Sequence, residues 1–116
     1  MKRGLGGVLR RYAILMLGEK ILLHGSYELP MTGFVLLQVV RAGSEEEAVK
    51  LCRVAALQQW KRLFNRDNRS GTPLLKQLKV VRVRNPFKRF AGKGDFCFYA
   101  DDEQRESLIS ELGRQF

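Results

Sequence analysis

Histidine and cysteine are scarce in this chain. It has one histidine, His24, and two cysteines, Cys52 and Cys97, among 116 residues. There is no CxxC and no Cys/His spacing, so the usual zinc ligand sets are excluded, and no metal or other cofactor is expected. Both cysteines lie in apolar stretches. They read as buried thiols in a reducing compartment rather than as a disulfide. Nucleotide-binding fingerprints are also missing. Gly4-Leu5-Gly6-Gly7 precedes a strand, whereas a phosphate loop follows one. His24 has no patterned serine or cysteine nucleophile beside it and reads as a strand-end or surface histidine. The sequence therefore names no catalytic residue and points to a non-enzymatic module.

Long apolar runs are absent too. No segment reaches the roughly 20 residues of a membrane span. Basic residues precede Tyr12-Ala13-Ile14-Leu15-Met16-Leu17 as in a secretory signal. That run is short, Glu19-Lys20 interrupts it, and no small-residue cleavage pattern follows. A cytoplasmic protein is expected.

Acids are few: 12 against 21 lysines and arginines, a net charge of +9. They concentrate in Glu45-Glu46-Glu47 and Asp101-Asp102-Glu103. Both clusters read as helix amino termini, where the dipole favours negative charge. Two stretches hold no acid. One carries Lys2, Arg3, Arg10 and Arg11; the other carries Lys79, Arg82, Arg84, Lys88, Arg89 and Lys93. Such a field attracts polyanions: nucleic acid, an anionic surface or an acidic protein.

What is present suffices for one folded domain. Hydrophobic residues make up 45% and charged residues 28%. A chain of this size buries roughly two-thirds of its unfolded surface and needs no staples. Residues 1–10 read as a flexible basic arm and residues 11–116 as a single α+β domain. Residues 12–17 read as a strand, with a bulge or bend at Gly18-Glu19-Lys20 and strand character again at Ile21-Leu22-Leu23. Phe34 to Val40 is a strand apolar on both faces, like a central, doubly covered one. Ser44 and Glu47 form a capping box, with Glu47 returning to the N–H of the cap itself. The helix that follows spans about 45–64 and carries a core stripe of Val49, Cys52, Ala56, Trp60 and Leu63. A third strand covers 75–84 and a fourth Phe96 to Tyr99. Asp101 caps a second helix that turns Leu108, Ile109 and Leu112 inward.

The order is ββαββα. Strand one can take the place of a final strand beside strand two. The expected fold is a circularly permuted ferredoxin-like sandwich: a four-stranded antiparallel sheet with two helices on one face. That fold leaves one apolar sheet face over. We expect it to pair with a second copy, making a homodimer through Tyr12, Ile14, Met16, Phe34 and Leu36. The alternatives are cover by loops and the arm, or a small-ligand or enzyme pocket with His24 and Tyr12 as its residues.

Nucleic acid is the other candidate partner. Arg10, Arg11, Arg82, Arg84, Lys88, Arg89 and Lys93 would attract its phosphates. Lys93-Gly94-Asp95-Phe96-Cys97-Phe98 echoes the aromatic strand of RNA-recognition modules, but its aromatics are one residue out of register. Such a slip moves side chains to the other face, so Phe96 and Phe98 read as core.

Gly33-Phe34 opening a strand, Val40 and Ala42 closing it, Ser44-Glu45-Glu46-Glu47-Ala48 starting a helix, and Gly94-Asp95-Phe96-Cys97-Phe98-Tyr99 followed by acids form a composite pattern. Over residues 12–103 it resembles a family of short uncharacterised bacterial proteins. The resemblance implies a ferredoxin-like α+β fold and carries no activity onto particular residues. The basic arm and the run 79–93 are not part of the family's pattern.

Overall fold

Apolar residues fill 12–17 and, apart from Gln38, 34–40, and these segments form the two central strands of a computed structural model that describes residues 8–25 and 29–116. Most of the basic arm, including Lys2, Arg3 and Gly4 to Gly7, lies outside the described residues. So does Glu28 in the turn before the second strand. The first strand, β1 (Arg10–Glu19), pairs antiparallel with β2 (Gly33–Ala42), with Arg10 opposite Ala42 and Gly18 opposite Phe34. Helix α1 (Glu45–Phe64) follows, then β3 (Leu74–Val83), β4 (Phe96–Tyr99) and α2 (Asp102–Gly113). The chain leaves β1 through Lys20, at a φ of 64°. After that bend the resumed strand character amounts to a single bridge, Leu23 to Met31.

The expected element order and the antiparallel four-stranded sheet are observed, but the ferredoxin-like arrangement is not. The strand order is β3-β1-β2-β4. A permuted ferredoxin-like sheet would set β3 beside β4. Instead β3 runs along the free edge of β1, from Arg11–Val83 to Glu19–Leu74, with an irregularity at Leu15/Met16 that leaves Leu78 unmatched. Ten-residue β3 thereby finds a ten-residue partner, whereas β4 has four residues to offer.

The helices also lie on opposite faces of the sheet, not on one. Tyr12, Ile14, Met16, Phe34 and Leu36 pack with Ala48, Cys52, Ala56 and Trp60 of α1. Leu15, Leu17, Val35 and Leu37 pack with Leu112 of α2 and its neighbours Leu108 and Ile109. The physical reason is strand periodicity. Alternate residues of β1 and β2 are apolar on both sides, so both sides must be hidden, and each helix hides one.

Local signals define the helix ends well. The Ser44 hydroxyl accepts from the Glu47 N–H at 3.1 Å, and Asp101 accepts from the Gln104 N–H at 2.8 Å. Glu47 differs from expectation by one residue: its carboxylate accepts from the Gly43 N–H. On α1 the inner stripe runs through Ala48, Cys52, Ala56 and Trp60, while Leu63 is exposed and Phe64 takes its place against the core. Phe96 and Phe98 join Phe34, Trp60 and Phe64 in an aromatic cluster, as their register required.

Two glycines admit aromatic rings across neighbouring strands, one in the β1–β2 pair and one in the β2–β4 pair. The Phe34 ring covers Gly18 on the α1 side and the Tyr99 ring covers Gly33, so neither position has room for a Cβ. The Tyr99 hydroxyl donates to the Gly18 carbonyl at 3.2 Å.

Candidate functional site

The five residues expected to form a dimer face are all core. Tyr12 is 5% exposed and Ile14, Met16, Phe34 and Leu36 are 0% exposed, all beneath α1. The apolar stretches of the central strands are covered on both faces, by α1 on one and by α2 on the other. Tyr12 and His24 do not converge: Tyr12 is buried near the start of β1, and His24 is exposed beyond its end. Among the described residues no three His, Cys, Asp or Glu side chains gather as a metal site. Asp101 is occupied as a helix cap. Among the described residues no helix is long and apolar enough to cross a membrane.

The cysteines are free and belong to opposite sides of the sheet, Cys52 with the α1 core and Cys97 with the α2 core. Burial pushes the Cys52 thiol up to about 11, with Arg53 pulling weakly the other way. Burial also raises the Cys97 thiol, helped by Asp95 and Glu111. Neither is an activated nucleophile.

The basic residues do come together. A groove of about 560 Å³ lies on the α2 side, at the end of the sheet where β1 begins and β2 ends. Arg11, Arg41, Lys88, Arg89 and Lys93 line it together with Phe87, and no acid does. Strand register explains part of this. Arg11 and Arg41 stand directly opposite each other on β1 and β2. Two like charges in that position repel, and among the described residues neither is ion-paired with an acid.

The loop from Arg84 to Asp95 supplies the rest, and three contacts fix it. Arg11 donates from Nη2 to the Lys88 carbonyl at 3.0 Å and from Nη1 to those of Pro86 and Asn85 at 3.3 and 3.5 Å. Gln115, just past α2, both accepts from the Ala91 N–H at 2.7 Å and donates to its carbonyl at 3.0 Å. The Gly94 N–H donates to the Leu37 carbonyl at 2.8 Å. Gly92 and Gly94 hold φ values of 75° and 83°, which β-carbon-bearing residues seldom adopt. The groove is thus built in advance of any ligand.

Of the seven basic residues singled out from sequence, Arg11, Lys88, Arg89 and Lys93 share this groove. Arg82 and Arg84 line an adjoining hollow of about 300 Å³ that also includes Lys88 and Arg114. Arg10 is separated from them. Its neighbour Arg11 faces the groove, so alternation along β1 turns Arg10 to the α1 side. Sequence reasoning missed Arg41, Arg114 and Phe87. Arg41 was detectable, since it continues the Val35-Leu37-Val39 side of β2 that faces Arg11 across the hairpin.

Comparison with known proteins adds no relative: no protein-family model, no curated protein and no solved structure matches this chain.

Proposed function

We propose that the chain is a nucleic-acid-binding accessory protein that grips the phosphate backbone in the groove formed by Arg11, Arg41, Lys88, Arg89 and Lys93. One observation carries the reading: five cations line one pre-built concavity with no acid among them. Within it, Arg11 and Arg41 repel until an anion lies between or over them. A polyanion relieves that repulsion and adds the entropy of released counterions. Arg114, which lines the adjoining hollow, adds a further cation beyond the groove. The two unpaired thiols are in keeping with a cytoplasmic setting.

The test is titration of a labelled mixed-sequence oligonucleotide at several salt concentrations. With about four phosphates neutralised, affinity for a single strand falls roughly 50-fold between 50 and 200 mM salt. The double substitution Lys88→Glu/Arg89→Glu removes two of the contacts and lowers the single-strand salt slope by about 1.4. Binding that ignores both salt and the double substitution refutes the reading.

A further inference from the structure

Phe87 is the most exposed large hydrophobic residue among those described, at 85%. Exposed aromatics are commonplace on mobile loops, where the side chain can fold back when it finds cover. The backbone that carries Phe87 is fixed instead. Phe87 occupies the third position of a turn in which the Lys88 N–H donates to the Asn85 carbonyl at 3.1 Å. Pro86 precedes it with a φ fixed by its ring. The Asn85 side-chain oxygen accepts from Phe87's own N–H at 2.9 Å. Arg11 then holds the carbonyls of Asn85, Pro86 and Lys88 together. The adjacent aromatic, Phe90, is treated differently. It packs inward toward Phe116, with Lys88 over its ring. The loop therefore packs one phenylalanine partly into the α2 side and presents the other at the groove.

From this geometry we infer that the groove takes single-stranded nucleic acid, with an unpaired base stacked on Phe87 and the flanking phosphates on Arg41, Lys88, Arg89 and Lys93. The inference rests on the phosphate-binding reading above and adds the class of strand. Phosphates alone give an aromatic ring nothing to cover it. A paired duplex shows the groove its backbone and keeps its base faces stacked. A single strand offers both chemistries at once: charge for the cations and a flat π-face for the ring. Because every base has such a face, the site is tolerant of sequence. Pre-fixing the turn removes the ordering cost that a mobile aromatic would bring to binding.

The experiment compares two strands of about a dozen nucleotides with equal numbers of phosphates. One is oligothymidine and the other is its fully abasic counterpart, each measured by fluorescence anisotropy at low salt. The wild-type protein binds the thymidine strand roughly tenfold more tightly than the abasic strand. Phe87→Ala removes that preference, bringing the two strands to equal affinity, while Phe87→Trp retains it. The side chain supports no core contact, so folding is not at stake; circular dichroism of both variants verifies this. Equal wild-type affinity for the two strands overturns the inference and leaves phosphate binding standing. Tighter binding to a duplex of the same length has the same meaning. No binding of either strand at low salt overturns both readings together.

Discussion

Cys52 shows how position sets the chemistry of a residue. Enclosed between α1 and the sheet, its thiol stays protonated up to about pH 11. In the unfolded chain a cysteine ionises at about pH 8.5–9. Between those values the unfolded state sheds its proton first. Stability from this residue is therefore complete below the lower value and is lost as pH rises toward the upper one. The total is about 3 kcal/mol. Urea midpoints at about pH 8 and about pH 10.5 should show the decline, and Cys52→Ala should make it shallower. An equal decline in both proteins would mean that Cys52 has no part in it; the raised Cys97 and Tyr99 act in the same direction and remain in the variant. At this scale the sequence was partly readable. Apolar neighbours marked both thiols as buried, which holds for Cys52, whereas Cys97 on the short edge strand is only half-buried. Nothing near Phe87 marked it as exposed, because its orientation depends on Arg11, more than seventy positions away.

The elements were more readable than their partners. Ser44 and Asp101 announce their helices because capping is a matter of three residues and one hydrogen bond. The limits of α1 and β4 follow from such short-range signals and from runs of strand-forming residues. The pairing of β3 does not, since any amphipathic strand can lie along either free edge of a central hairpin. The glycines that admit aromatic rings across the β1–β2 and β2–β4 pairs were equally silent, since a glycine in a strand signals close approach without naming the approaching group. Gly18 illustrates what that approach demands. A methyl group there runs into the Phe34 ring, which is itself held among Trp60, Phe96 and Phe98. Gly18→Ala should destabilise the protein by about 1–3 kcal/mol, read from chemical denaturation, as over-packed cores do. A neutral result would show that the ring moves aside freely.

For the whole molecule, the sequence held the decisive clue in a form that admitted two answers. Strands apolar on both sides need two covers, and a second copy of the chain would satisfy that need as well as a second helix. The position of α2 selects the internal answer, because Leu108, Ile109 and Leu112 are themselves an apolar face seeking a partner. Leu36→Glu separates the alternatives. With α1 over the residue, the buried carboxylate should abolish cooperative unfolding or cost more than about 4 kcal/mol. A variant that stays folded while light scattering reports a halved mass would restore the sheet-face dimer. The three supports of the groove loop lead to a different kind of consequence, one of timing. They come from Arg11, Leu37 and Gln115, which are distant along the chain and meet only after the sheet has formed and α2 has docked. Distant contacts of this sort close late. A half-folded chain carries all of the positive charge and none of the shape, so any affinity it shows for polyanions is indiscriminate. On the proposed reading, selective binding would be switched on by the last steps of folding, and its appearance in a refolding experiment would act as a clock for completion.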